Sequence, residues 1–258
     1  MCRAINGVLR PGVSFMPKPF RGLIASLLVA ALAGCAAPPE SAGFAWDPYE
    51  ETNREIHEFN KGWDTVLIRP ASQFYQEVTP GVVRLLVGNG LDMLDLPAIF
   101  VNNLLQGEPL AALRTAGRFS LNVVLGAGLL DPATEFGLPK ESTDLGVTFS
   151  KWGFEEGPYV SLPLLGPATA RDGVGRVLEI ALDPFNFLTG VPEIELLGPG
   201  TAFVGIVELR AENEDVIDRA FYETEDSYVT TRSGYLQFRR RRVAGGVTEE
   251  QIPDVFAE

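Results

Sequence analysis

The sequence predicts an all-α fold, and three observations carry that expectation. Apolar residues recur at helical spacing in the first half: Ile56, Phe59 and Trp63, then Val82, Val83, Leu86, Val87, Leu91 and Leu94. Residues 203–226 distribute apolar and charged residues as an amphipathic helix does. Between these, residues 131–204 are so dense in Gly and Pro that helices there must be short. That block reads as a loop region wrapped on a helical core.

The chain begins with export chemistry. Residues 21–35 run from Arg21 through a short apolar stretch and small residues to Cys35, the order of a secretory signal peptide. The ending Leu32-Ala33-Gly34-Cys35 resembles a bacterial lipobox, in which the cysteine is acylated and the leader removed. The apolar run from Leu23 to Ala33 spans 11 residues, whereas a spanning helix needs about 20. Residues 1–34 are therefore expected to be a lipoprotein signal peptide, with Met16 a second candidate start. Residues 35–45 form a lipidated, Pro- and Ala-rich tether.

Charge excludes some partners. The leader holds four basic residues (Arg3, Arg10, Lys18, Arg21) and no acidic one, so its removal takes the formal net charge from −13 to −17. Such a chain repels nucleic acid, whose binding rests on phosphate neutralisation. Nor is it drawn electrostatically to an anionic membrane. Past the leader Cys35 is the one cysteine and His57 the one histidine, which removes internal disulfides and metal sites built on Cys and His. No metal and no cofactor are expected.

The elements follow in order. Asp47 is placed as an N-cap, with Pro48 at the first helical position. The first helix carries Ile56, Phe59 and Trp63 on one face, leaves His57 on a solvated face beside Glu55 and Glu58, and ends or breaks at Arg69-Pro70. Residues 71–95 are helical with an interruption at Pro80-Gly81, and Pro97 starts a separate short helix to Leu105. Gln106-Gly107-Glu108-Pro109 is a turn, and a helix over 110–125 ends at Gly126-Ala127-Gly128.

The apolar pieces of 82–130 leave two arrangements open: a globular α-helical core, or short helices lying in one leaflet about 15 Å deep. Composition alone favours the core. In 203–226, Ile206, Leu209, Val216, Ile217, Ala220 and Phe221 are expected to face the core, with Glu208, Arg210, Glu212, Glu214, Asp215 and Asp218 toward water. The helix continues toward Phe238. Arg239 to Arg242 then open a basic, afterwards acidic, tail over 239–258, read as a solvated, disordered segment or a contact for lipid headgroups or an acidic partner.

No catalytic constellation stands out. Gly-x-Ser-x-Gly and the phosphate-binding Gly-x-x-x-x-Gly-Lys-[Ser/Thr] are both absent, and Gly126-Ala-Gly128 does not complete Gly-x-Gly-x-x-Gly. The aspartates are scattered, several of them where turns want Asp. The expectation is a protein that is not an enzyme, with no catalytic residue.

Several motifs, in order, resemble the MlaA (VacJ) lipoproteins. They are Asp47-Pro48-Tyr49-Glu50 with Asn53-Arg54 and Phe59-Asn60; Arg69-Pro70; Pro97 with Asn102; Leu105-Gln106-Gly107; Arg118-Phe119 with Asn122; and Asp131-Pro132-Ala133. Further on come Trp152-Gly153, Gly157-Pro158-Tyr159-Val160, Leu162-Pro163, Gly166-Pro167, Arg171-Asp172 and Asp226-Ser227-Tyr228. The resemblance covers about residues 46–238.

It implies a ring of short amphipathic and apolar helices embedded in one membrane leaflet, with a Gly/Pro-rich loop region, a C-terminal amphipathic helix and an amphipathic channel. It implies location in the inner leaflet of the outer membrane. The function implied is removal of mislocalised phospholipid from the outer leaflet to a periplasmic, MlaC-like carrier, beside a porin trimer. That shifts the choice for 82–130 to the leaflet. Asn102, Gln106, Arg118, Asn122, Gly126 and Gly128 are the channel or hinge candidates. Asp47, Pro48, Asn53, Arg54, Phe59, Asn60, Gly157, Pro158, Tyr159, Arg171 and Asp172 are structural positions of the motif. The competing class is an adaptor lipoprotein that tethers a porin or periplasmic partner without transport.

Overall fold

A computed structural model describes residues 44–182 and 192–245. The leader, Cys35, the tether up to residue 43 and the tail from residue 246 lie outside the described residues. The fold is mostly helical, with one small hairpin. Helix α1 (Glu50–Trp63) runs through a π-helical turn (Asp64–Ile68) into α2 (Arg69–Val78). Pro70 cannot donate a helical hydrogen bond, yet the chain does not break there as expected. The wider π turn just before it absorbs the misfit. The helix does end at Val78, and Pro80-Gly81 opens the next one.

Helix α3 (Gly81–Leu105) is one continuous element of 25 residues with Pro97 inside it, not two. A three-residue turn, with Gly107 at φ +73°, returns the chain into α4 (Pro109–Gly126), and α3 packs along α4. Helix α4 stops at Ala127 (φ +51°) and Gly128 (φ +76°), whose amides both bond the Asn122 carbonyl. A short helix, α5 (Pro132–Glu135), follows.

The Gly/Pro-rich block is more regular than its composition suggested. It contains α6 (Leu145–Lys151), the antiparallel strands β1 (Tyr159–Leu162) and β2 (Gly166–Thr169), and α7 (Ala170–Leu182). Glycines permit close approach here instead of ending helices. A Cβ on Gly175 of α7 would sit 2.8 Å from the amide nitrogen of Gly146 of α6, so the two helices touch backbone to backbone.

Helix α8 (Pro192–Glu212) is followed by α9 (Glu214–Asp218), a second π turn (Arg219–Glu223) and α10 (Ser227–Val243). The single amphipathic helix expected over 203–226 is thus two helices and a π turn. The arginine run expected in a tail belongs to α10. Arg239 is buried, Arg240 pairs with Glu156, and Arg242 bonds Ser142.

The hairpin and α10 share a small core of Tyr159, Tyr228 and Leu236. Around α3, α4 and α8 the usual burial rule is reversed. Among the described residues of these helices four apolar side chains are buried (Met93, Leu96, Ala112, Val207), against seven polar or charged ones (Asn102, Asn103, Thr115, Arg118, Asn122, Glu208, Arg210). Large apolar side chains stand exposed along these helices, among them Val82, Leu85, Leu110, Leu113, Val124 and Leu209. On α8 the expected faces are inverted at four positions: Glu208 and Arg210 are 5% and 3% exposed, Ile206 and Leu209 46% and 60%, while Glu212 is exposed as expected. Arg210 turns in because it finds Asp64 and Asp218 there.

Candidate functional site

The α3–α4 pair and the loop after α5 enclose a cavity of about 140 Å³. Helix α3 supplies Asn89, Asp92 and Asp95 together with Met93, Leu96 and Ile99. Helix α4 supplies Arg118 and Asn122, and the following segments add Asp131, Lys140, Glu141 and Ser142. The lining is amphipathic because α3 presents to it polar residues side by side with apolar ones, Asp92 with Met93 and Asp95 with Leu96.

One wall of it is a hydrogen-bonded node. Both Arg118 Nη2 contacts to the Asp131 carboxylate are 2.9 Å, and Arg118 Nη1 donates to Thr134 at 3.1 Å and to the Leu138 carbonyl. Asn122 donates to Asp131 at 3.0 Å and accepts the Ala133 amide at 3.1 Å. Burial alone would push Asp131 up, but its bonds from Thr134, Arg118 and Asn122 hold it below the ordinary carboxylate value. At the rim, Lys140 pairs with Asp92, and Arg114 with Glu141 at 3.1 Å.

Of the six channel or hinge candidates, Arg118 and Asn122 line this cavity. Asn102 and Gln106 sit in another cluster. Thr148 donates to Asn102 at 2.7 Å, and Gln106 donates to Thr143 and Thr148 at 2.7 and 2.8 Å, which ties α3 to α6. Gly126 and Gly128 close the end of α4. A methyl on Gly126 would meet Pro132 at 3.1 Å and Leu130 at 3.2 Å, whereas Gly128 has open space and a positive φ.

The motif positions gather around the hairpin and the helices packed on it. Asp47 does not cap α1. It accepts from Asn53 at 2.8 Å, from Arg232 at 2.6 Å and from Tyr228. Asn53 donates to the Tyr159 carbonyl at 3.1 Å and accepts the Ser161 amide at 2.8 Å. Asn60, two turns on, does the same to the Leu162 carbonyl (3.0 Å) and Leu164 amide (2.7 Å). Arg54 spans Glu50 and Asp226, while Phe59 is half exposed against Trp63. Pro48 lies in the turn that leads into α1. Gly157 turns the chain at φ +72°, and the Pro158 carbonyl accepts the Ala170 amide.

Arg171 contacts Asp172, which is buried against Arg239 at 2.8 Å. Burial would raise Asp172 and Asp144; the bonds and charge of Arg239 hold both below the ordinary value. His57 is buried, not solvated as expected, with Nε2 3.0 Å from Ser227 Oγ. Desolvation lowers its pKa.

Sequence reasoning missed Lys140 in the cavity and the role of Asp131 beyond a turn. It also missed a buried ion cluster in which Arg210 Nε bonds Asp64 at 2.9 Å and Tyr222 bonds Asp64 at 2.8 Å. Part of the signal for the cluster was present: Asp64 stands beside the apolar Trp63 and Val66-Leu67-Ile68, whereas Arg210, between Glu208 and Glu212, looks like one more solvated charge. Periodicity cannot tell which face of such a stretch turns inward. Among the described residues no group of His, Cys, Asp or Glu is arranged to hold a metal ion.

Comparison with known proteins gives a consistent result. The family model for the MlaA lipoprotein matches residues 45–242. An uncharacterized protein of Rickettsia felis is 35% identical over 200 residues, 77% of this chain and 78% of that protein. The intermembrane phospholipid transport system lipoprotein MlaA of Escherichia coli is 30% identical over 220 residues, 83% of this chain and 85% of that protein. A solved structure described as the structural basis for maintenance of bacterial outer membrane lipid asymmetry matches with a TM-score of 0.65 and 30% identity. It covers 77% of this chain and 98% of that one.

Proposed function

The chain belongs to the MlaA lipoprotein family, and on that premise we propose that it removes mislocalised phospholipid from the outer leaflet of an outer membrane and passes it to a periplasmic, MlaC-like carrier. The observation that carries this reading is the reversed polarity of α3, α4 and α8. Apolar side chains at such density on the outside are stable only against another apolar phase, and buried charges need partners inside. No helix among the described residues is long and apolar enough to cross a membrane. Helix α3, with 25 residues, is about 38 Å long at the usual rise. A leaflet is about 15 Å deep, so α3 lies along the inner leaflet, not through it. Acylated Cys35 holds the chain in that same leaflet.

The transfer is passive. Helices around the cavity exclude inner-leaflet lipid by their apolar outer faces. A headgroup descends past Asn122 and the Arg118–Asp131 node, while its acyl tails follow Met93, Leu96 and Ile99. A neighbouring porin trimer completes the boundary on the lipid side. Only solvation changes along this path, so no bond-making group is needed.

The test is the phospholipid content of the outer leaflet in cells with and without the protein. Deletion raises it and wild type restores it. Ile99→Trp, which narrows the cavity, fails to restore it while reaching wild-type abundance in the outer membrane. No rise on deletion, with the protein present in that membrane, replaces transport by the adaptor role.

A further inference from the structure

A cavity of about 140 Å³ has room for a few waters. Sites that take up small molecules run to about 300–1,000 Å³. A phospholipid headgroup therefore enters only if one wall moves. The walls are not equally fixed. Helices α3 and α4 pack along each other. The Arg118–Asp131–Asn122 node is tied by bonds of 2.9 and 3.0 Å. The remaining wall is the segment between α5 and α6, which contributes Lys140, Glu141 and Ser142.

That segment is pinned at its ends and loose in its middle. At one end the Leu138 carbonyl accepts from buried Arg118. At the other, Asp144 takes two 2.6 Å bonds from buried Arg239. Gln106 and Arg242 donate to Thr143 and Ser142 at 2.7 and 2.8 Å. Between these ends no backbone group of residues 139–141 bonds another backbone group among the described residues. Two ion pairs hold the middle, Lys140 to Asp92 of α3 and Glu141 to Arg114 of α4. The four side chains are 32% to 55% exposed, and ion pairs so solvated hold weakly. Met93 and Leu96 of the same lining are buried.

We infer that residues 139–141 are a gate in the cavity wall, latched to α3 and α4 by the Asp92–Lys140 and Arg114–Glu141 pairs. The inference rests on the lipid-conduit reading and adds how that site opens. Breaking two solvated pairs costs little, so the gate lifts and recloses readily, and its pinned ends return it to the same place. The latches have opposite signs in sequence, a cation and then an anion on the gate. Each therefore closes only on its own partner, and the gate cannot reclose one residue out of register.

The experiment measures how fast a water-soluble maleimide labels a cavity thiol in the full-length, lipidated protein in mild detergent. Met93→Cys supplies the thiol, since acylated Cys35 offers none. Labelling of a buried thiol reports the open population. Lys140→Glu, which faces Asp92, speeds labelling about fivefold, the factor an exposed ion pair is worth. Glu141→Arg, which faces Arg114, does the same through the other latch. Asp92→Lys combined with Lys140→Glu returns the slow rate, which a misfolded protein would not do. A thiol at Ala112→Cys, buried on α4 outside the lining, keeps its rate throughout. Labelling at Met93→Cys that ignores both latch variants overturns the gate, and so does an equal rise at Ala112→Cys. If deleting the protein leaves outer-leaflet phospholipid unchanged, the conduit reading falls while a latch-dependent labelling rate still stands.

Discussion

Arg239 is the residue on which the largest buried charge cluster turns. Its guanidinium reaches Asp144 through two 2.6 Å bonds and Asp172 at 2.8 and 3.0 Å, and Tyr235 adds a 2.8 Å bond to Asp172. The cluster fits only because Gly146 has no side chain. A Cβ there would lie 2.4 Å from both Arg239 Nη2 and Asp172 Oδ1. Gly146→Ala must therefore push apart a buried ion pair as well as two helices. The expected cost is about 3 kcal/mol or more, from overpacking plus weakening of paired buried charges. Denaturant unfolding in detergent measures it, and a loss under about 1 kcal/mol would mean that α6 shifts freely. None of this was legible in the sequence. Four adjacent arginines look like a solvated run, and only the fold brings Asp144 and Asp172, far apart in the chain, to one of them.

Helix α1 holds the hairpin by an unusual device at the scale of elements. Asn53 and Asn60, seven residues apart, each imitate a peptide group, and together they extend β1 along its edge without a third strand. The two are unequal. The Asn53 bonds are buried, whereas Asn60 works beside the exposed Leu164 at the hairpin tip. Asn53→Ala leaves the Tyr159 carbonyl and Ser161 amide unpaired and should cost about 2–4 kcal/mol, while Asn60→Ala should cost about 1 kcal/mol. Thermal unfolding of the two variants side by side reads the order, and equal losses would refute the peptide-mimic account. The sequence did make these asparagines visible as a motif, and it gave the turns at Pro80-Gly81 and Gln106–Glu108 and the helix before Gly126. It hid the hairpin, because Gly and Pro signal turns without saying what lies between them. It also made Pro97 look like a boundary, although a helix packed on a neighbour tolerates the lost hydrogen bond.

Over the whole molecule, polarity is sorted in two different ways. The hairpin, α7 and α10 enclose aromatic and ion-paired contacts. Helices α3, α4 and α8 turn polar side chains inward, among them Asn103, Arg118 and Arg210, and leave many large apolar residues outside. Composition supports either sorting, which is why the sequence left a globular core and a leaflet assembly open together. The outward apolar surface belongs to the folded helices and not to the acyl anchor. A leaderless Cys35→Ala protein is therefore expected to require detergent still. Analytical ultracentrifugation in buffer checks this, and a monodisperse monomer without detergent would refute the leaflet arrangement. The two sortings meet in one rod, where α1 continues through the π turn at Asp64–Ile68 into α2. Upstream of that turn Asn53 and Asn60 must face the hairpin, and downstream Gln76 must reach Glu214 and the Ala211 carbonyl. A π turn amounts to one residue inserted into an α-helix, and each residue of helix carries about 100° of rotation. Shortening the chain by one position between 64 and 68 would leave composition and hydropathy almost unchanged. It would also swing one half of the rod out of phase with the other. The length of this short segment, more than the identity of any residue in it, keeps the two halves aimed at their separate surroundings.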